Sequence, residues 1–89
     1  MATTKEKIKL RTVNVIEIRM IESTVEAIFS FADTKKGNKA AEKQFAKLCR
    51  YNWKQNANKE PLTQEDIDSA LEDGYFETGD SKIIIEHGI

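Results

Sequence analysis

Residues 62–74 hold a helix marked at both ends, and that helix constrains how the rest of the chain can be used. Thr63 is placed as an N-cap, with Asp66 three residues on to reach back in a shortened capping box. Leu62 and Ile67 are spaced for a hydrophobic staple across the cap, and Gly74 is a natural C-terminal stop. Between them Ile67, Ala70 and Leu71 form an apolar stripe that must be buried against something. The residues beyond Gly74 are a candidate for part of that surface. Tyr75–Glu77 reads as a short extra strand, Thr78-Gly79-Asp80-Ser81 as a turn, and Lys82-Ile83-Ile84-Ile85-Glu86 as a strand. Three consecutive isoleucines suit a strand covered on both faces, or one whose outer face is a contact surface.

The first third of the chain supplies the partners. Ile8 to Ile21 reads as extended, with Ile16, Ile18 and Met20 on one face and Val13 and Val15 on the other. Glu22-Ser23 is the expected turn. Val25, Ala27, Phe29 and Phe31 then alternate with polar or smaller neighbours, as in a second antiparallel strand. A helix competes for the same residues: Ser23 and Glu26 match a capping box, and Val25, Ile28, Phe29 and Ala32 have helical spacing. The strand is favoured because Phe29 and Phe31 around Ser30 would place an aromatic on a helix's polar side.

Asp33 to Asn38 reads as a loop, with Gly37 and Asn38 as breakers and Asn38 as N-cap. From Lys39 to about Trp53 the pattern is helical, with Ala41, Phe45, Leu48 and Cys49 on one face. Asn56 to Pro61 is a connector, since the residue before a proline is biased away from helix. The predicted fold is α+β: an antiparallel sheet in the order β-β-α-α-β, with a short extra strand, and two helices packed on one face. At 89 residues the chain is expected to form one domain, 1–89, with residues 1–7 expected to be flexible.

Chemistry is hard to find. His87 is the lone histidine and nothing near it in sequence would orient it as a base. Cys49 is the single cysteine, sits on an apolar stripe, and reads as a small buried hydrophobe. No phosphate loop, nucleophile elbow or Cys/His metal spacing occurs. The acidic set Asp66, Asp68, Glu72, Asp73, Glu77 and Asp80 does not follow a calcium-loop pattern and reads as solvated. These readings point to no enzyme, no cofactor and no metal. A single cysteine fits a reducing compartment, and the polar Met1–Lys7 start and the lack of any apolar run near ~20 residues make a cytoplasmic protein the expectation, with no membrane partner.

Charge is the sharper signal. Up to Lys59 the chain has 13 Lys and Arg against 6 Asp and Glu; beyond it the balance is 1 against 9, which leaves a net charge of −1. Such halves either attract each other within the fold or present separate fields to partners. On the first helix Lys39, Lys43, Lys47, Arg50 and Lys54 fall within an arc of about 80°, opposite Ala41, Phe45 and Leu48. Tyr51 and Trp53 lie beside the apolar stripe and could add stacking or an interface anchor. Lysines opposite a core are also what any surface helix carries.

The leading expectation is a small protein-binding module that docks on a larger protein, of the kind that phages and mobile elements use as inhibitors of host defence or regulatory systems. Its contact residues would be the basic row, Tyr51, Trp53 and the outer part of Ile83–Ile85, and a homodimer through a sheet edge is a variant of it. The rivals are a nucleic-acid binder using the basic row, and a binder of a small anionic ligand such as a nucleotide. An acidic segment as strong as the basic one argues against nucleic acid.

Overall fold

The computed structural model describes residues 11–55 and 60–87. The chain runs β1 (Thr12–Arg19), β2 (Thr24–Ala32), α1 (Lys35–Gln55), α2 (Gln64–Asp73), β3 (Tyr75–Glu77) and β4 (Ser81–His87). The strands form one antiparallel sheet in the order β2-β1-β4-β3, so the fold is α+β as its sequence predicts. Residues 1–7, Ile8 to Leu10 of the expected first strand, and 56–59 of the connector lie outside the described residues.

Strand alternation sorts the side chains by face. Val13 and Val15 of β1 are fully buried beneath the helices, while Asn14, Ile16 and Ile18 point the other way. The isoleucine triplet divides likewise: Ile83 and Ile85 join the core and Ile84 faces outward. Residues 24–32 are strand, and Ala27, Phe29 and Phe31 stand opposite Glu17, Val15 and Val13 on the helix side. Val25 departs from the expected alternation. A bulge between Glu17 and Ile18 sets Val25 across from Ile18 on the far face, where it is 52% exposed. The β1–β2 turn closes with the Ser23 N–H donating to the Met20 carbonyl (3.2 Å), Ser23 having a φ of 54°.

Helix α1 begins at Lys35, four residues before the expected Lys39. Its cap is Thr34, whose Oγ1 accepts the Gly37 N–H at 3.0 Å. Asn38 is inside the helix, and its side-chain amide donates to Asp33 Oδ1 and to the Thr34 carbonyl, both at 2.8 Å. Gly37 is therefore no breaker. It sits in the first turn because the helix starts hard against the Ala32 backbone at the end of β2. From there α1 lies across β2, β1 and β4 and buries Ala41, Phe45 and Cys49.

Helix α2 forms as its sequence signals require. The Thr63 Oγ1 accepts the Asp66 N–H, and the Asp66 carboxylate accepts the Thr63 N–H, each at 3.1 Å. Gly74 ends the helix in the left-handed region, φ 87°, with its N–H on the Ala70 carbonyl. Ile67 and Ala70 are buried, Leu62 and Leu71 pack at the margin, and α2 lies beside β3.

Cys49 is fully buried in this core, and burial pushes its thiol up from 9.0 to about 12, with a small opposing pull from Arg50. The folded chain keeps a proton that the unfolded chain sheds between those values. The Cys49 contribution to stability is therefore complete below pH 9 and declines as pH rises toward 12. Accordingly the native thiol should be silent to a disulfide reagent at pH 8 until the chain unfolds. The denaturation midpoint should fall more steeply above pH 9 than in Cys49→Ala; equal slopes would show that the thiol is not protonated in the core.

Candidate contact surfaces

The helices cover only one face of the sheet, and among the described residues nothing packs on the other. Strand register assembles that open face row by row. Ile28 of β2 stands opposite Ile16 of β1, Ile16 opposite Ile84 of β4, and Ile84 opposite Tyr75 of β3. This is an apolar row crossing all four strands. Ile16 and Ile84, in the middle, are half-buried by their neighbours, whereas Ile28 is 59% and Tyr75 44% exposed. The next row on one side is Val25, Ile18, Lys82 and Glu77; on the other it is Ser30, Asn14 and Glu86. Apolar side chains thus continue over Ile18 and Val25, and polar groups rim them.

The rim is partly self-satisfied. Ser30 donates to Asn14 Oδ1 at 2.6 Å. Lys82 Nζ stands 3.8 Å from the Glu77 carboxylate and 4.9 Å above the centre of the Tyr75 ring. On the opposite, helix side of the sheet, Arg19 pairs with Glu26 at 3.3 Å, beside the bulge. Glu86 is exposed and has no ion-pair partner among the described residues.

The second surface is the outer side of α1. Lys39, Lys43, Lys47, Arg50 and Lys54 are all exposed, and none of them forms an ion pair among the described residues. The structure splits the row. Lys39, Lys43 and Arg50, joined by Lys36, edge a groove of about 620 Å3 between α1 and α2 whose floor includes Ile67 and Leu71. Arg50 reaches across it to Gln64 Oε1 at 3.2 Å. Asp68 and Glu42 line the same groove, so acidic groups interrupt the basic field where α2 lies alongside. Lys47 and Lys54 are not among the residues lining the groove, and the exposed Tyr51 sits between them in sequence at helical spacing.

Trp53 is held inward. Its Nε1–H donates to the Glu60 carbonyl at 2.6 Å and its ring is 6.2 Å from that of Phe76, tilted by 57°. It lines a depression of about 320 Å3 with Leu62 and Phe76. Sequence reasoning passed over a different polar contact. Asn52, 5% exposed, donates to Glu17 Oε2 at 3.0 Å and to the Leu48 carbonyl at 2.9 Å, which ties the end of α1 to the helix side of β1. Nothing local marks it, because Asn52 and Glu17 are 35 residues apart.

His87 closes β4 in an exposed position, and no group of three His, Cys, Asp or Glu able to hold a metal occurs among the described residues. No described helix is long and apolar enough to cross a membrane. Comparison with known proteins finds no matching family, no matching characterised sequence and no matching solved structure.

Proposed function

We propose that this chain is a non-enzymatic protein-binding module whose contact surface is the helix-free face of its sheet. One observation carries the reading: the row Ile28–Ile16–Ile84–Tyr75, extended by Ile18 and Val25, lies on a face that no described element covers. A four-stranded sheet needs one covered face to fold, and here α1 and α2 supply it. Apolar groups clustered in register on the second face gain nothing from that core and favour association. The occupant is a protein surface with an apolar centre and charges that meet Lys82 and Glu86 at the rim. An inhibitor docking on a larger machine, as carried by phages and mobile elements, is a module of this type.

The basic row supports a second reading, nucleic-acid binding, because its five cations are exposed and form no ion pair among the described residues. The sheet face is preferred since Asp68 and Glu42 share the groove with three of those cations. A photo-crosslinking residue placed at Ile84 or at Lys47, in the cell that makes the protein, separates the two. Ile84 should give a discrete protein adduct that disappears when Ile16→Lys is added to the same chain. A nuclease-sensitive adduct from Lys47 with none from Ile84 would replace this reading with the second.

A further inference from the structure

We infer that the occupant of the open sheet face is a second copy of this chain, packed face to face about a two-fold axis that runs along the isoleucine row. The inference rests on the reading of that face as a protein contact surface and names its partner. It comes from the charge order along β4, where the outward side chains are Lys82, Ile84 and Glu86: a cation, an apolar centre and an anion.

Two sheets stacked with their strands nearly aligned are related by a two-fold axis either along the strands or across them. An axis along the strands would lay Glu77 against the partner's Val25 and Lys82 against the partner's Ile18, burying charges on apolar groups at no gain. An axis across the strands, through Ile28, Ile16 and Ile84, sets each of those residues against its own counterpart. It also reverses the order of rows, so that Lys82 meets the partner's Glu86 and Glu86 meets the partner's Lys82, while Ile18 and Val25 meet the partner's Asn14 and the partner's Ser30, which are uncharged and already hydrogen-bonded to each other. The two charge contacts are identical by symmetry, and Glu86, which has no ion pair among the described residues, acquires one. Lys82 approaches from its perch over Tyr75 and Glu77.

Edge pairing through β2 fits less well. The bulge opposite Glu17 and Ile18, with the charged Glu26 beside it, twists that edge out of a flat register, and joining edges would leave Ile16, Ile84 and Tyr75 uncovered. The area sets the strength. Four strands about 4.8 Å apart and seven residues of about 3.3 Å give a face of roughly 450 Å2, or roughly 900 Å2 for the pair. That lies below the roughly 1,000 Å2 of a stable interface, so the dimer should be a weak one in exchange with monomer. Area does not fix the affinity, and about 1–100 µM spans the weak regime.

Sedimentation equilibrium of the full chain over that range tests the proposal. The wild type should pass from monomer to dimer mass as concentration rises. Lys82→Glu sets four carboxylates at the two 82–86 contacts and Glu86→Lys four ammonium groups, so each alone should dimerise at least tenfold more weakly. Mixed in equal amounts they should recover wild-type association, because every rim contact then joins opposite charges. Should Lys82→Glu fail to fold beside Glu77, Ile84→Cys and Lys47→Cys give an independent reading with a short bismaleimide linker: covalent dimer from the first and not the second. A wild type that stays monomeric throughout, or a mixture no better than its components, would overturn the dimer. The outcome for the contact surface itself is separate: a foreign adduct from Ile84 would keep that reading and discard self-association, whereas no adduct would discard both.

Discussion

Phe45→Ala should lower the unfolding free energy by about 3–5 kcal/mol, the usual cost of removing a fully buried aromatic side chain and leaving part of its volume empty. Phe45 is fully buried, the largest side chain in a core that includes Val13, Val15, Ile83 and Ile85 on the sheet and Ala41 and Cys49 on its own helix. The single core has no second layer to take up the slack, since the far face of the sheet is open among the described residues. Domains of this size hold about 4–13 kcal/mol in all, so the loss is a large fraction of the total. The melting temperature should fall by about 15–30 °C, with the denaturant slope little changed if the native state survives. Ile28→Ala, on the open face, is the control and should cost about 1 kcal/mol or less. Equal effects at the two positions would mean that the helices do not lie where the strand register puts them.

How far the fold is legible in the sequence depends on the range over which each signal acts. Helix α2 is readable to the residue because Thr63, Asp66 and Gly74 act within one turn of the ends they mark. The strands are readable as alternation, and the competing helix over residues 23–32 fails because Phe29 and Phe31 both need the covered face, which a strand provides. Val25 is misplaced by alternation because a bulge is a property of two paired strands and leaves no trace in one of them. The start of α1 is misread for a related reason. A Gly-Asn pair is a turn signal locally, but Gly37 serves a contact with Ala32 that only the folded chain brings about.

The contact surfaces divide in the same way. Helical periodicity exposes the basic row in full, since all five cations lie on one element; that Lys39, Lys43 and Arg50 share a groove with Asp68 depends on how α2 docks. The open face is nearly invisible. Its row takes one residue from each of four strands, and only Ile84, as the middle of a triplet, hints that a strand has apolar groups on both sides. A surface built by register becomes visible only when the register is known. A surface built by one helix does not need it.

Gly37→Ala should reverse the usual sign of a glycine-to-alanine change in a helix. Within a helix the substitution ordinarily gains about 1 kcal/mol, because alanine has less backbone freedom to lose and exposes less backbone. Gly37 lies in the first turn of α1, and a Cβ there would overlap the Ala32 carbonyl oxygen and come within 2.8 Å of the carbonyl carbon. These are backbone atoms of β2, fixed by pairing with Thr12 and by the Thr34 N–H that donates to the same oxygen at 2.8 Å, so no side chain can swing aside. The first turn must move off the strand, which strains the junction and draws the Gly37 N–H from Thr34 Oγ1. Overpacking of about 1–3 kcal/mol and a lost cap of about 1 kcal/mol outweigh the propensity gain. The variant should therefore unfold at lower urea by a net of about 1–3 kcal/mol, and Thr34→Ala added to it should cost less than Thr34→Ala does alone, since the cap is already broken. An increase in stability would show that α1 does not abut the end of β2, and the close junction that orients α1 across the sheet would have to be abandoned.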